Sequence, residues 1–384
     1  MRRSELDRIV DEVRGYYETD STCLWPTEMH YPSKTYVDPE HARREREVMQ
    51  RFPIIVGHGS RIPGPGDFLT DDTTGKPLLI VRQDDGSVRA FLNICRHRGA
   101  RLCDEASGRS RQFVCPYHAW TYRSDGSLRA IPRSEGFSGI EQGGSGLFEM
   151  PVEERHGLLW VVPVYGASID VAAYLGPLDE EIASYGISDM VLERDELLTF
   201  DINWKYVIDG FCEVYHFARL HRNSIAPHVH GTHSPYEAFG RHGRMVVVRR
   251  TFDPIAARGA DGMSREEVLS TLAMTYQLFP NSVIVWQGDH FECWTSYPGA
   301  TPDKCTIRIQ SITTPEQASD AMKPRWDRNW EIMIRTVVTE DWAVSRTIQD
   351  SIPSLPDGTI VFGRNEPGMQ HFHGQILKEC GQSG

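Results

Sequence analysis

The spacing of apolar and polar positions divides the chain into three stretches. Residues 1–50 follow a helical pattern around a polar loop at 25–36. Between 51 and 165, short apolar runs alternate with turn residues, which is typical of a small antiparallel β domain. The runs expected to form strands are 77–81, 87–94, 111–118 and 157–163, and S-D-G-S at 124–127 is expected to form a hairpin turn.

The remaining stretch, 166–384, has longer elements. A helical pattern covers 169–186, and 197–216 passes from a strand into a helix. Four long strand-like runs follow, at 244–253, 281–288, 290–298 and 304–315, and then a helix at about 324–352. Several antiparallel strands with one long helix predict an α+β domain whose helix packs across a curved sheet.

Composition places the chain among ordinary globular proteins. It has 384 residues, 40% hydrophobic and 24% charged, which suggests two or three domains. The net charge of −12 argues against nucleic acid as a partner. We expect a cytoplasmic protein without a membrane span, because no apolar run approaches ~18–20 residues, the N-terminus is polar and helix-like, and the eight cysteines suit a reducing compartment.

Charge is unevenly distributed along this acidic chain. Between Arg89 and Arg133 there are nine arginines but only three acidic residues. Such a basic stretch is either a solvated face or a surface that docks an acidic redox partner.

The same stretch contains a pattern of metal-binding residues. Cys95 and His97 are separated by one residue, and Cys115 and His118 follow with two between them. Two cysteines and two histidines can form a structural zinc site, or a cluster in which cysteines hold one iron and histidines the other. One Cys and one His on each arm favours the two-iron cluster, because each loop then reaches both metals.

A second set of ionisable residues lies in 203–221. Asp209, Glu213 and His216 follow at i, i+4 and i+7, so a regular helix would place them on one face. His216 and His221 are five residues apart, about 140° around a helix, so the helix must break near 218–220 for both to bind one ion.

Asp341 interrupts the apolar stripe of the long predicted helix. The stripe comprises Trp330, Ile334, Val337, Val338, Val344 and Ile348. Asp341 is either a salt-bridged carboxylate at the stripe's edge or an inward-facing ligand. Two histidines with one carboxylate form the facial triad of non-haem Fe(II) oxygenases.

The chain resembles a known family over nearly its whole length. C-R-H-R-G and C-P-Y-H-A-W resemble the Rieske cluster motif. N-W-K…D-x3-E-x-Y-H-x4-H and T-E-D-W…I-Q resemble the mononuclear-iron motifs of the Rieske non-haem iron oxygenase α subunits, the ring-hydroxylating family. The resemblance implies an N-terminal helical segment (1–50) that packs on the catalytic domain, a Rieske domain (51–165) and a catalytic helix-grip domain (166–384).

The family's ligands can be placed residue by residue. The resemblance implies a [2Fe–2S] cluster held by Cys95, His97, Cys115 and His118, and Fe(II) held by His216, His221 and Asp341.

Two further acidic residues match catalytic positions of the family. Glu213 matches the acid that bridges the iron of one subunit to a cluster histidine of the next, here His97 or His118. The usual residue at this position of the family is Asp, so the side chain of Glu213 is longer by one methylene. Asp209 matches a position often occupied by Glu followed by Asn; Gly210 follows here, which limits Asp209 to a supporting role.

The implied function is that of a terminal oxygenase. It would take electrons from a ferredoxin or flavin reductase, and use O₂ to hydroxylate or oxidatively demethylate a small organic, in the first instance aromatic, substrate. One alternative is a monooxygenase of a quaternary ammonium or N-methyl compound; another is a non-catalytic Rieske redox protein. The family's assembly implies a head-to-tail homotrimer, with or without a small β subunit.

Apolar residues near these motifs are candidates for the substrate pocket. They are Phe211, Cys212, Phe279, Val285, Trp286, Phe291 and Trp294. Other histidines, at 228, 230 and 233 and at 371 and 373, are interpreted as non-ligands. Iron analysis separates the alternatives: about three irons and two acid-labile sulfides per chain for the oxygenase, two of each for a redox protein, and none for zinc.

Overall fold

Two parts of the chain form separate compact units in the computed structural model, which describes residues 1–140 and 145–381. One unit is Gln50–Tyr174, and the other combines Met1–Met49 with Leu175–Gly384. We refer to them as the cluster unit and the catalytic unit. No helix among the described residues is both long and apolar enough to cross a bilayer.

The secondary-structure elements are as follows. The strands are β1 Met29–Pro32, β2 Ile54–His58, β3 Asp67–Asp71, β4 Leu78–Arg82, β5 Val88–Leu92, β6 Ser107–Arg109, β7 Gln112–Val114, β8 Thr121–Arg123, β9 Leu128–Ala130, β10 Glu149–Met150, β11 Val152–Arg155, β12 Leu158–Val161, β13 Val191–Phe200, β14 Tyr236–Phe239, β15 His242–Val248, β16 Leu272–Leu278, β17 Ser282–Trp286, β18 His290–Pro298, β19 Cys305–Thr313 and β20 Thr359–Phe362. The α-helices are α1 Arg3–Thr19, α2 Pro39–Met49, α3 Val171–Leu175, α4 Leu178–Ala183, α5 Lys205–Asp209, α6 Asp253–Arg258, α7 Arg265–Leu269, α8 Lys323–Thr336, α9 Trp342–Ser351 and α10 Pro367–Glu379.

The cluster unit is built from three small antiparallel sheets. Their strand orders are β10-β5-β4-β3-β6, β11-β12-β2 and β7-β8-β9. The predicted S-D-G-S turn joins β8 to β9, where the Gly126 N–H donates to the Arg123 carbonyl (3.0 Å). All four runs predicted to be strands contain a strand.

The catalytic unit is organised around one seven-stranded antiparallel sheet. Its order is β13-β19-β18-β17-β16-β15-β14, and the long helical segment packs against it through contacts such as Trp342 with Trp294 (ring centroids 6.5 Å apart). This matches the predicted α+β arrangement. The sequence patterns did not indicate β16, whose seven residues are all buried and therefore show no polar alternation.

The predicted helix through Glu213 and His216 is wrong. Helix α5 ends at Asp209, Gly210 follows, and the backbone continues as irregular turns past His221. The apolar spacing was misleading, because Tyr215, which the helical pattern would bury, is 68% exposed. The break therefore comes earlier than the predicted position at 218–220.

The long C-terminal helix was predicted as continuous, but it contains a π turn at Val337–Asp341, between α8 and α9. One extra residue in a turn rotates the following helix by about 100°. Val344 and Ile348, expected to face inward, are accordingly about 40% exposed, and Ser345 and Gln349 are buried instead.

A buried ion pair ties helix α2 to the first turn of α5. Lys205 Nζ donates to Glu45 Oε1 (2.6 Å) and to the Thr35 carbonyl (2.9 Å), and Trp204 Nε1 donates to Glu45 Oε2 (2.8 Å). Burial opposes ionisation of this carboxyl, but Lys205 and the neighbouring His41 together outweigh burial and hold the pKa of Glu45 at about 2. Glu45 is therefore a carboxylate in the folded protein at neutral pH.

We expect Glu45→Gln to destabilise the catalytic unit by about 3 kcal/mol, since it leaves a buried ammonium without its anion. The melting temperature should fall by about 5 °C or more. Because the folded pKa is depressed, the difference from wild type should shrink as pH falls from 4.5 towards 2. Glu47→Gln, at an exposed site on the same helix, is the control, and an equal shift in both variants would contradict the argument.

Candidate metal centres and catalytic site

The four predicted cluster residues lie on two loops of matching geometry. One loop follows β5 and the other follows β7. The Cys95 N–H donates to the Ala100 carbonyl, and the Cys115 N–H donates to the Trp120 carbonyl, at 2.8 Å each. Each loop also has a left-handed residue four positions after its cysteine, with φ of 77° and 57°. The two arms therefore present their side chains in the same way.

The loops keep the thiols inside and the imidazoles outside. Cys95 and Cys115 are 1% and 3% exposed, whereas His118 is exposed. The His97 and His118 rings are neighbours (centroids 4.7 Å apart), and His97 stacks on Trp120. Burial raises the pKa of Cys95, which a bound cation would reverse. This arrangement fits a two-iron cluster, in which the two thiolates would hold one iron and the two imidazoles the other.

The second predicted set also converges. His216, His221 and Asp341 each offer one ligand atom, and these atoms lie within 4.8 Å of one another. His221 Nε2 is 3.2 Å from Asp341 Oδ1, and His216 Nε2 is 3.6 Å from the same oxygen. His216 Nε2 is buried without a hydrogen-bond partner among the described residues. A buried, unbonded imidazole nitrogen aimed at a carboxylate fits a metal ligand.

Two glutamates orient the two imidazoles. His216 Nδ1 is bonded to Glu213, whose other oxygen accepts from the His216 backbone N–H (3.1 Å). His221 Nδ1 is bonded to Glu340 Oε2 (2.7 Å), which also accepts from Ser224 Oγ. Burial disfavours a charged His221, but Asp341 and Glu340 outweigh it and raise the pKa of His221. Both Nε2 atoms are thus directed towards Asp341, as in iron sites whose histidines are fixed by carboxylates.

Asp209 has a different environment from Glu213. Its Oδ2 accepts from Tyr36 Oη (2.8 Å), and its Oδ1 is bonded to His373 Nε2 (2.8 Å). Both oxygens are occupied, and a Cβ at Gly210 would lie 3.9 Å from Asp341 Oδ1. Asp209 therefore fixes the turn that lies against the triad.

Sequence patterns missed several residues of this site. Glu340 directly precedes Asp341, and its role depends on the π turn. Tyr36 and His373 are distant in sequence from Asp209, and no spacing rule connects them. Glu366 was also missed; burial, with Glu213 and Asp209 nearby, raises its pKa.

The predicted pocket residues are divided between the two faces of the seven-stranded sheet. Trp294 contacts Phe211 (ring centroids 5.2 Å apart) on the face towards the triad. Trp286 and Phe291 pair across β17 and β18 and contact Tyr185 on the opposite face. The remaining candidates, Val285, Cys212 and Phe279, are buried.

Beside the triad lies a cavity of about 510 Å³. Its lining residues are His216, Arg219, Leu220, Arg222, Asn223, Glu340 and Val344.

A cluster-binding unit and a unit with a two-histidine, one-carboxylate centre, carried by one chain, define a class of iron-dependent protein, and comparison with known proteins specifies the family. Residues 52–143 match the model of the Rieske [2Fe-2S] domain, and 185–382, just over half of the chain, match that of the ring-hydroxylating α subunit catalytic domain. The chain belongs to the family of ring-hydroxylating α subunits. The two matching domains imply a Rieske cluster and a mononuclear iron.

Curated relatives include two oxygenase subunits. The glycine betaine monooxygenase oxygenase subunit of Chromohalobacter salexigens is 35% identical over 192 residues, covering 50% of this chain and 42% of the relative. The biphenyl 2,3-dioxygenase α subunit of Rhodococcus jostii is 34% identical over 196 residues, covering 48% and 41%. The chain spans about half the length of the curated relatives it matches.

Solved structures share the fold. A quaternary ammonium Rieske monooxygenase in complex with L-carnitine aligns with a TM-score of 0.76 at 20% identity, covering 93% of this chain and 96% of its own. Naphthalene 1,2-dioxygenase from Rhodococcus sp. aligns with a TM-score of 0.75 at 19% identity, over the full length of both chains.

We expect Glu340→Gln to weaken iron binding at the triad by about 10- to 100-fold, because His221 loses the carboxylate that orients it. Wild-type protein should hold about three irons and two acid-labile sulfides per chain, and the variant about two of each after dialysis against a chelator. The visible absorbance of the cluster should be unchanged. Glu331→Gln, at an exposed position on α8, is the control; full iron retention in Glu340→Gln would contradict the prediction.

Proposed function

We propose that this chain is the terminal oxygenase of a multicomponent Rieske system. The convergence of His216, His221 and Asp341 is the observation that carries the proposal. When bound, the cluster supplies one-electron transfer and the mononuclear iron supplies O₂ activation. Cys95, His97, Cys115 and His118 would hold the cluster. The protein's own contribution is to aim the triad's imidazoles through Glu213 and Glu340 and to leave coordination positions open.

We place the electron donor, a ferredoxin or flavin reductase, at the basic stretch of the cluster unit. Some of its arginines are already paired, such as Arg111 with Asp84 (3.0 Å). Arg98 is exposed and contacts Tyr117 Oη (3.1 Å), next to His118. An exposed cation beside an outward-facing cluster ligand suits an acidic redox partner. None of the cysteines among the described residues forms a disulfide, which supports a cytoplasmic location.

We further propose that Glu213 links the two metal centres across a subunit boundary in a head-to-tail homotrimer. Its carboxylate contacts His216 and keeps 12% of its side chain exposed. It would accept a hydrogen bond from His97 or His118 of a second copy. The glutamate, longer than the family's usual aspartate, would need a slightly wider spacing between subunits.

We expect Glu213→Ala to retain the cluster but to need added Fe(II) to fill the triad, because His216 loses the carboxylate that orients it. With the triad filled, the product formed per electron consumed should fall by roughly 10²-fold, because the alignment between the centres is lost. Glu213→Asp should recover part of the coupling, and Glu331→Ala should leave it unchanged. The measurement is the ratio of product formed to reductant consumed in each variant. Wild-type coupling in Glu213→Ala would refute the bridge.

Two substrate classes fit the site. An aromatic substrate suits the apolar Phe211–Trp294 pair, and dioxygenases of aromatic compounds are among the relatives. A quaternary ammonium or N-methyl compound suits the same rings through cation–π attraction, and the glycine betaine monooxygenase subunit is a relative at 35% identity. The choice depends on which C–H bond lies next to the iron.

A turnover panel tests the proposed oxygenase activity. Aromatic acids and N-methyl compounds, supplied with a surrogate reductase, should include one that stimulates O₂ uptake and yields a hydroxylated or demethylated product. Asp341→Ala, which removes a triad carboxylate, should abolish the product while retaining the cluster. Iron-loaded protein that reduces and reoxidises its cluster without substrate-dependent O₂ uptake on any compound would support the redox protein instead.

A further inference from the structure

A row of polar side chains crosses the sheet face that carries Trp294. Arg249 Nη2 donates to Gln287 Oε1 (2.9 Å) and to the Gln287 carbonyl (3.1 Å). Gln287 Nε2 donates to Glu292 Oε1 (3.4 Å), and Trp294 Nε1 donates to Glu292 Oε2 (3.2 Å). The row thus runs from the end of β15 to Trp294, whose ring meets Phe211 beside the triad.

The alternation along β15 places Arg249 on this inner face. Met245 and Val247 belong to the buried cluster that includes Phe217, the residue after His216. Arg249 continues the strand: its N–H donates to the Thr271 carbonyl (3.0 Å), and it forms an antiparallel bridge with Val229. Side chains two apart on a strand share a face, so Arg249 follows Val247 towards the interior.

Arg249 has no carboxylate partner among the described residues. Within residues 1–140 and 145–381, no ion pair involves its guanidinium, and Nε is buried without a hydrogen-bond acceptor. Burial lowers the pKa of Arg249, although Asp289 and Glu292 act in the opposite direction from farther away. A guanidinium held in this way is costly unless an anion completes its hydrogen bonds.

The acidic groups around Arg249 are engaged by other cations. Asp289 pairs with His290 Nδ1 (2.7 Å) and with Arg325, and Glu292 lies 3.7 Å from His290 Nε2. His290 has a pKa raised to about 9, since these carboxylates outweigh its burial, so it is a cation at neutral pH. Among the described residues, Asp289 and Glu292 thus lie near three cations, and Arg249 is the one that contacts neither carboxylate.

We propose that Arg249 binds an anionic group of the substrate, so that the substrate class is a carboxylate-bearing compound rather than a neutral hydrocarbon. Gln287 would position the guanidinium, and the end of the substrate to be oxidised would lie towards Phe211, Trp294 and the triad. A hydrocarbon would leave Nε without an acceptor, whereas a carboxylate matches a guanidinium in shape and charge. This inference rests on the proposed oxygenase function.

The test compares matched probes by isothermal titration calorimetry at constant ionic strength. Benzoate and glycine betaine carry the carboxylate; benzamide and choline are their counterparts without it. Wild type should bind at least one carboxylate more tightly than its counterpart, and Arg249→Met should lower that affinity by about 10- to 100-fold, with the counterpart unaffected. Arg250→Met, at the adjacent exposed arginine that bonds the Ala226 carbonyl, should change neither.

Failure of the anion site and failure of the oxygenase activity give different results in this test. Absence of any carboxylate preference in the wild type, or equal losses in Arg249→Met and Arg250→Met, overturns the proposal. Should Arg249→Met fail to fold, Arg249→Lys replaces it, and a loss confined to the carboxylates again supports the anion site. Carboxylate binding that depends on Arg249 in a protein without turnover would refute the oxygenase activity but not the anion site. Turnover without any carboxylate preference would refute only the anion site.

Discussion

The convergence of two imidazole nitrogens on one carboxylate oxygen is the constraint on which the catalytic unit depends. Among the described residues, His216 Nε2 is buried without a hydrogen-bond partner, and a regular helix would separate His216 and His221 by about 140°. The backbone is irregular at both contributing segments: α5 ends at Asp209, and a π turn carries Asp341. Local regularity is lost where the site is built.

The carboxylates around this centre have distinct tasks that follow from their partners. Glu213 and Glu340 each hold one imidazole at Nδ1, so that the Nε2 atoms face Asp341. Asp209 is bonded to Tyr36 and His373 and fixes the turn beside the triad. Removal of any one of them would leave a donor unpaired in a largely buried region, which couples the stability of the unit to the geometry of its centre.

The two faces of the seven-stranded sheet have different roles in the catalytic unit. Trp286 and Phe291 pack on Tyr185 and serve the core, whereas Trp294, Glu292 and Arg249 form a polar and aromatic row on the face of the triad. Residues that are neighbours in sequence, such as Phe291 and Glu292, thus belong to different environments because a strand alternates its side chains. Chemical similarity among aromatic residues therefore does not by itself place them on one face of the sheet.

The sequence by itself determined which residues are candidate metal ligands and which fold class to expect. The ligand candidates follow from the local spacing of Cys95, His97, Cys115 and His118 and of the histidines at 216 and 221. The α+β class follows from the periodicity of apolar residues. The tertiary structure decided what depends on distant contacts. Because of the extra residue in the π turn, Ser345 and Gln349 are buried and Val344 and Ile348 are partly exposed. The apolar pattern predicted the reverse for Val344 and Ile348. Likewise, the contacts of Asp209 with His373 and of His221 with Glu340 join residues more than 100 positions apart, and no periodicity encodes such pairs.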